Sequence, residues 1–266
     1  MIDVAVSVAW VVISTGAIWG GSGWLENASA RLGTFYQLPP VVQGGIIAAV
    51  GSSFPELASV VIAASAGSFG LGVGGVVGSA IFNILVIPAL AVLVPGRDLN
   101  STRTLVHKET LFYLLSVVIL FLVFALALIY NPGNGTATAQ LTRPLVAAPL
   151  VAYGLYLFLQ WQDTAEYTET PQSSDIDPRR EWAWLLAGLV LILVSVERLV
   201  EAVIHLGEVA GTPEFLWGVT IVAAATSLPD ALVSIQAADS EAPVASIANV
   251  VGSNIFDLLV VIPVGI

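Results

Sequence analysis

Two acidic residues lie inside long apolar stretches, at matching places in a motif that the chain contains twice. The first copy is SSFPE at residues 52–56 and ends at Glu56. The second is TSLPD at residues 226–230 and ends at Asp230, 174 positions later. A carboxylate near the middle of a membrane is costly and typically marks an ion or substrate path. Two of them in duplicated motifs predict a transporter site built from two repeats.

Each acidic motif is followed at the same distance by a second motif, which reads GSAIFN at residues 78–83 and GSNIFD at residues 252–257. Its serine and its last residue are four positions apart, so helical spacing places them on one face. These pairs are Ser79 with Asn83 and Ser253 with Asp257. Gly78 and Gly252 are small enough to let a neighbouring helix approach closely.

A proline precedes the acidic residue in each copy, Pro55 in the first and Pro229 in the second. Proline removes a backbone donor and clashes with the preceding turn, so each helix is predicted to kink or open there. Carbonyls freed inside a membrane need an enclosed or watery cavity, where they can bind a cation. Hydroxyls one turn before each carboxylate share its face. They belong to Ser52, Ser53, Thr226 and Ser227.

The pooled side chains offer only oxygen ligands: three carboxylates, one amide and several hydroxyls. Hard cations such as Ca²⁺ and Na⁺ prefer that set, and its adjustable geometry suits Ca²⁺ better than Mg²⁺. The motifs hold no Cys or His, which argues against a zinc or copper site. Three clustered carboxylates in a low-dielectric site cannot all stay ionised without binding protons or metal ions. Glu56 and Asp230 would neutralise one Ca²⁺, which leaves Asp257 to stay protonated, to help bind a monovalent ion or to release a proton.

The composition predicts an all-α, polytopic helical membrane protein. Hydrophobic residues make up 57% of the chain, charged residues 10%, and the mean hydropathy is +0.91. These values lie outside the range of soluble domains. The net charge of −11 argues against a nucleic-acid partner, and the absence of cysteine excludes a disulfide framework. Acidic residues concentrate at 163–181 and 197–214, which we interpret as solvated loops.

Eight apolar segments are long enough to be predicted as membrane spans, which need about 20 residues. They are residues 4–23, 39–65, 69–94, 109–130, 144–161, 182–204, 213–238 and 243–266. Residues 1–161 form a first repeat with its motifs at 44–88. An acidic loop at 162–181 precedes a second repeat, residues 182–266, with its motifs at 218–262. Three carboxylates near span ends are predicted to be solvated or snorkelled rather than ligands: Glu26, Glu197 and Glu201.

The basic residues predict that the N-terminus is outside a cell membrane. With that orientation the inner loops hold Arg31, Arg97, Arg103, Lys108, Arg179 and Arg180, and the outer side holds Arg143 and Arg198. This asymmetry follows the positive-inside rule. Five spans precede the second repeat, an odd number, so the second repeat is inverted relative to the first. No signal peptide is predicted before the first span.

At these motifs the chain resembles the cation/calcium exchanger superfamily, close to its sodium/calcium exchanger branch. The family's two repeats carry a G-[ST]-S-x-P-[ED] segment followed by G-N-x-x-G-S-N-x-x-[ND]. Residues 51–56 and 225–230 correspond to the first segment, and residues 74–83 and 248–257 to the second. The departures are Gly75 and Ala80 in place of asparagines, and Ala225 and Ala248 in place of glycines.

The resemblance implies a ten-helix antiporter with inverted halves and broken central helices, exchanging Ca²⁺ for Na⁺ by alternating access, without a cofactor or enzymatic activity. Glu56 and Asp230 would be the central calcium ligands. The four hydroxyl residues beside them would bind through hydroxyl or carbonyl oxygens. Ser79, Asn83, Ser253 and Asp257 would complete flanking sodium sites. The first and sixth spans would slide, the last two family helices are predicted to be absent, and a monomer is expected to function.

Other functions compete with this interpretation. The combination of Glu56, Asp230 and Asp257 also resembles the potassium-dependent branch, so K⁺ co-transport is an alternative. A Ca²⁺/H⁺ or other cation/H⁺ exchanger is another, although the family motif typical of proton coupling is missing. An intramembrane aspartyl protease is disfavoured, because neither Asp230 nor Asp257 lies in a G-x-G-D segment. A channel is disfavoured because charged sites in broken helices trap a divalent ion rather than pass it quickly.

Overall fold

A computed structural model describes residues 2–36, 49–93, 103–133, 140–164, 176–239 and 243–266, and these residues are almost entirely helical. The α-helices are α1 Ile2–Phe35, α2 Ala49–Ser52, α3 Phe54–Ser65, α4 Phe69–Ile81, α5 Ile87–Leu93, α6 Arg103–Tyr130, α7 Arg143–Thr164, α8 Pro178–Ala210, α9 Glu214–Trp217, α10 Ala223–Asp239, α11 Pro243–Phe256 and α12 Ile262–Val264. Three π-helical turns interrupt them, at Phe82–Val86, Gly218–Val222 and Asp257–Val261.

Five described helices are long and apolar enough to cross a membrane: Asp3–Phe35, Phe69–Leu90, Glu109–Tyr130, Arg143–Gln162 and Pro178–Ala210. The other predicted spans are assembled from shorter pieces on either side of breaks or π-turns. The outer face of α6 is apolar and exposed, with Phe121 at 77% and Ile129 at 68%. Such a surface is expected of a helix that faces lipid. The predicted polytopic, all-helical class is therefore confirmed.

The ends of the first and sixth spans were predicted wrongly. Both helices extend well beyond residues 4–23 and 182–204, so Glu26 and Arg31 lie inside α1. The acidic stretch at 197–214 is mostly the last part of α8, where Glu197 and Glu201 are exposed as expected. Glu181 differs from the predicted solvated loop. It lies in the first turn of α8 and is almost fully buried against Arg31.

Helices α1 and α8 occupy equivalent places in the two repeats and run antiparallel along each other. Near one end, Arg31 Nε of α1 lies 3.3 Å from Glu181 Oε1 of α8. Near the other end, Ser7 Oγ lies 3.0 Å from His205 Nδ1. Equivalent helices that point in opposite directions are what an inverted repeat requires. The predicted inversion is thus visible in this helix pair.

Glycine allows α4 to lie directly on the π-turn that leads into α10. A Cβ added at Gly74 would come 2.6 Å from the carbonyl oxygen of Phe215, and one at Gly218 would come 3.0 Å from the Cα of Gly74. A Cβ at Gly78 would clash with the backbone of Val219. Backbones this close exclude any side chain. The small residues therefore set the distance between the first repeat's second motif and the second repeat's acidic motif.

Candidate functional site

The acidic motif of the first repeat lies at a break between two helices. Helix α2 ends at Ser52, Ser53 adopts φ −91° and ψ 11°, and α3 begins at Phe54. Pro55 falls in the first turn of α3, where its missing N–H costs nothing. The break was predicted from Pro55, and it places Glu56 in the first turn of α3. Negative side chains are favoured at that end of a helix.

The backbone around the acidic motif of the second repeat differs from that of the first. Pro229 lies inside helix α10, which continues through the motif, whereas α2 ends at the corresponding place in the first repeat. The irregular part of the backbone lies before the motif in this repeat, in a π-helical turn at Gly218–Val222. Pro229 cannot donate to the carbonyl of Ala225, so that buried oxygen is left without its usual helical partner. The freed carbonyl remains even though the helix is continuous.

The structure brings all ten predicted site residues together in the interior. They are Ser52, Ser53, Glu56, Ser79, Asn83, Thr226, Ser227, Asp230, Ser253 and Asp257. Their exposed fraction is 2% for Ser52 and 0% for each of the others. We call these ten side chains the oxygen cage. In this conformation the cage is closed to both sides of the protein.

Hydrogen bonds within the cage follow the repeat symmetry. Ser79 donates to Glu56 Oε1 at 3.4 Å, and its equivalent Ser253 donates to Asp230 Oδ2 at 2.9 Å. Two hydroxyl contacts connect the repeats in the same symmetric way. They join Ser53 Oγ to Ser253 Oγ at 2.8 Å and Ser227 Oγ to Ser79 Oγ at 2.7 Å. Each acidic residue is thus held by the second motif of its own repeat, and the two halves meet through serines.

Asn83 and Asp257 break this symmetry. Asn83 Nδ2 donates to Asp230 Oδ2 at 3.1 Å, across the repeat boundary. Asp257, at the equivalent place, repels Glu56 electrostatically instead of donating to it. Both carboxyl oxygens of Asp257 are buried without a close hydrogen bond to a described residue, and the Ser53 hydroxyl acts on this carboxyl group as a hydrogen-bond donor only at longer range. The two halves therefore differ at one position, which is an amide in the first repeat and a carboxyl group in the second.

Several oxygens of the cage are buried and have no hydrogen-bond partner among the described residues. They are Glu56 Oε2, Asn83 Oδ1, Asp230 Oδ1 and both carboxylate oxygens of Asp257. All five are acceptors. Leaving a buried acceptor unpaired costs about 1–3 kcal/mol, and more when it carries charge. A bound cation would be an electrostatic partner for all five acceptor oxygens, so the cage is suited to hard cations.

Sequence comparison assigns the family. The sequence model described as "Sodium/calcium exchanger protein" matches residues 6–162 and 180–266. The chain belongs to this family. The antiporter CaxA of Alkalimonas amylolytica is 31% identical over 258 residues, which cover 93% of this chain and 76% of CaxA. The resemblance read from the two motifs is confirmed, and the protein is a multi-pass membrane exchanger.

Two solved structures share the fold of this exchanger. The sodium-calcium exchanger NCX_Mj is 23% identical, with a TM-score of 0.63 over 98% of this chain and 82% of that one. The H⁺/Ca²⁺ exchanger CAX is 17% identical, with a TM-score of 0.73 over 97% of this chain and 66% of that one. Both likenesses support the fold of a cation/Ca²⁺ exchanger. They do not distinguish Na⁺ from H⁺ as the coupling ion.

Asn254 of the exchanger contacts the cage, although it is not among the ten residues predicted from the motifs. It is fully buried, its Oδ1 accepts from Asn83 Nδ2 at 3.0 Å, and its Nδ2 donates to the carbonyl oxygen of Ala80 at 3.4 Å. The signal was present, because the second motif reads Gly-Ser-Asn where the first reads Gly-Ser-Ala. Asn254 orients the amide of Asn83, so that Asn83 Oδ1 is left as the unpaired acceptor.

Glu26 was predicted to be solvated or snorkelled rather than a ligand, and the structure shows it to be more enclosed than a fully solvated side chain. It is half-buried, its Oε1 is fully enclosed, and it interacts electrostatically with Asp230. Among the described residues of the exchanger, no three acidic or histidine side chains by themselves form a metal-binding group. Hydroxyl, amide and carbonyl oxygens must therefore complete any cation site in the cage.

Proposed function

We propose that the exchanger moves Ca²⁺ against Na⁺ by alternating access, with the oxygen cage as the transport site. The observation that carries this proposal is the set of five buried acceptor oxygens without donors. They come from both repeats and belong to four cage residues. Oxygen ligands in flexible number and geometry are what Ca²⁺ prefers, and Na⁺ is a hard cation of the same kind.

The two carboxylates of Glu56 and Asp230 support Ca²⁺ as the divalent ion that is transported. Glu56 and Asp230, one from each repeat, carry together the charge that balances one Ca²⁺. Ser79 and Ser253 donate to them and hold one oxygen of each, which leaves Oε2 of Glu56 and Oδ1 of Asp230 free to bind. Asp257 and Asn83 would serve monovalent ions beside the calcium position. A buried cage without cations carries uncompensated negative charge, so moving it unloaded is costly.

The second candidate is Ca²⁺/H⁺ exchange. The TM-score to the H⁺/Ca²⁺ exchanger CAX is higher than that to NCX_Mj, 0.73 against 0.63. Both identities are so low that the likeness speaks for the fold alone. The sequence motifs favour Na⁺, and potassium-dependent Na⁺/Ca²⁺ exchange is a variant that uses the same cage.

Calcium uptake into proteoliposomes tests the coupling ion. Vesicles loaded with Na⁺ and diluted into Na⁺-free buffer are expected to take up ⁴⁵Ca²⁺ at least about tenfold faster than vesicles without a gradient, because outward Na⁺ flow drives uptake. A pH gradient imposed in place of the Na⁺ gradient should leave the uptake rate within about twofold of the rate without a gradient. Adding K⁺ should leave the Na⁺-driven rate within about twofold of its value without K⁺. Uptake that follows the pH gradient and ignores Na⁺ would favour Ca²⁺/H⁺ exchange. An absolute need for K⁺ would favour the potassium-dependent variant.

We further propose that each repeat is one structural half, residues 1–161 and 182–266, that α1 and α8 slide as a pair, and that a monomer transports ions without enzymatic activity. The paired contacts at both ends of α1 and α8 support a joint movement. We also propose that the chain lies in the cell membrane with its N-terminus outside, which the uneven distribution of its basic residues between the two sides supports.

Thiol labelling checks this orientation, because the chain has no cysteine of its own. We expect an impermeant maleimide to label Asp3→Cys in intact cells and to label Arg180→Cys only after permeabilisation. Both positions are exposed, near the start of α1 and of α8 respectively. The cysteine-free parent is the control for background. The reverse pattern would place the N-terminus inside.

A further inference from the structure

Glu26 is an acidic residue beside the cage that the proposed transport cycle does not use. Its Cγ lies 3.9 Å from the position that a Cβ would take at Gly51. Gly51 comes directly before Ser52 and the helix break in the first acidic motif. Glu26 also interacts electrostatically with Asp230 of the other repeat. It therefore lies next to both halves of the site while belonging to neither motif.

Glu26 also differs from the cage residues in its surroundings. Glu56 and Asp230 are completely buried, whereas Glu26 is half-buried. Its Oε1 is nevertheless enclosed and has no hydrogen-bond partner among the described residues. One end of this side chain thus belongs to the protein interior, and part of it reaches the surface. This is the position of a group directly outside the closed cage.

A second unpaired oxygen lies on the same face of α1. Ser22 precedes Glu26 by four residues, so the two side chains are neighbours on the helix surface. Ser22 is 0% exposed, and its Oγ has no partner among the described residues. A buried serine usually donates to the carbonyl four residues earlier in its own helix, as Ser195 does to Leu191 at 2.6 Å. Ser22 does not, and its oxygen remains available.

The second repeat shows that helix packing does not need these polar groups. At the offset of 174, Ser22 corresponds to Val196 and Glu26 to Val200, and both valines belong to the apolar core. A buried carboxylate where a valine would pack costs stability unless a partner satisfies it. The pair is therefore a feature of the first repeat alone, and its unpaired oxygens call for a ligand.

Resting on the proposed Ca²⁺/Na⁺ exchange, we propose that Glu26 and Ser22 form an additional binding position for a hard cation, directly outside the cage on α1. One carboxylate and one hydroxyl oxygen bind the ion, and the charge of Asp230 beside them attracts it further. With so few protein ligands the ion keeps part of its water shell. The position holds Ca²⁺ or Na⁺ as the ion passes between water and the cage.

The test compares cation binding and transport by Glu26→Gln with those of the wild-type protein. Glutamine keeps the shape and one acceptor oxygen but removes the charge. We expect the Kd of this additional position for Ca²⁺, which calorimetry on purified protein separates from that of the cage, to rise about tenfold, which corresponds to about 1.4 kcal/mol. The maximal rate of ⁴⁵Ca²⁺ uptake should stay within about twofold, because Glu56 and Asp230 remain. Glu26→Asp keeps the charge and should recover most of the affinity.

Glu197→Gln is the matched control, since it removes an exposed carboxylate from α8, the equivalent helix. Competition with Na⁺ distinguishes the two ions: weaker Na⁺ competition alone would assign the position to Na⁺, and weaker Ca²⁺ binding alone to Ca²⁺. If Glu26→Gln and Glu197→Gln bind both ions equally well, Glu26 forms no additional binding position. In that case, loss of Ca²⁺ transport in Glu56→Gln would still support the proposed function. A wild-type protein that binds neither ion would overturn both proposals.

Discussion

Glu56→Gln is expected to abolish Ca²⁺ transport while leaving the protein folded. The substitution removes one of the two charges that we propose to balance the ion, in a side chain that is fully buried. Removing one partner of a buried charge pair typically costs about 3–5 kcal/mol, so Ca²⁺ affinity should fall at least about a hundredfold. Uptake of ⁴⁵Ca²⁺ into Na⁺-loaded vesicles and calorimetric Ca²⁺ titration measure the two effects. Asp230→Asn, at the equivalent place, should give the same result.

Folding can be separated from binding in this experiment. Glu56 interacts electrostatically with Asp257 and Asp230, and without a cation these buried groups stay ionised together only at a high cost in free energy. Neutralising one of them relieves repulsion, and the purified Glu56→Gln protein should unfold thermally at the wild-type temperature or above. Glu208→Gln, an exposed carboxylate on α8, should behave as wild type in every assay. Normal uptake by Glu56→Gln would remove this residue from the calcium site.

The duplicated motif was sufficient to predict most of the cage from sequence. Helical spacing placed each hydroxyl on the face of its carboxylate, and the fixed offset paired the two halves. The serine contacts between repeats, such as Ser53 with Ser253, follow from that symmetry. Sequence could not show that α10 continues through Pro229, because the preceding π-turn depends on how closely α4 packs against Gly218. That contact joins residues far apart in the chain.

Glu26 was missed for a related reason. Its place in the sequence fits a span end, and hydropathy alone ended the first span at residue 23. The helix in fact continues to Phe35, and its crossing with α2 brings Glu26 beside Gly51. Whether a carboxylate on a long helix is solvated or enclosed depends on such crossings. Local periodicity carries no information about them.

The difference between the repeats at Asn83 and Asp257 bears most directly on ion coupling. A symmetric cage would treat its two monovalent positions alike. Here Asn83 is held by Asp230 and Asn254, whereas Asp257 is a carboxyl group whose two oxygens make no close hydrogen bond with a described residue. If Glu56 and Asp230 balance Ca²⁺ as proposed, the carboxylate of Asp257 is the one left to attract a monovalent cation. The second repeat should therefore bind Na⁺ more tightly than the first.

Asp257→Asn is expected to weaken Na⁺ coupling more than Ca²⁺ binding. Losing this carboxylate should raise the Na⁺ concentration for half-maximal inhibition of Ca²⁺ binding about tenfold to a hundredfold, and reduce the Hill coefficient for Na⁺ by about one. The Kd for Ca²⁺ should change less than about tenfold, because both calcium ligands remain. Na⁺ titrations of ⁴⁵Ca²⁺ uptake and of calorimetric Ca²⁺ binding measure the two quantities.

The reverse substitution, Asn83→Asp, tests in the first repeat whether a carboxylate at this position strengthens Na⁺ binding. Asn83→Asp places a carboxylate at the equivalent position, so Na⁺ should compete with Ca²⁺ more strongly there, while Asp3→Asn, exposed at the start of α1, should change nothing. Opposite effects of Asp257→Asn and Asn83→Asp on Na⁺ competition would assign coupling to this pair. Unchanged Na⁺ dependence in Asp257→Asn would mean that its charge binds no Na⁺, and the source of coupling would then have to be sought among the hydroxyls that both repeats share.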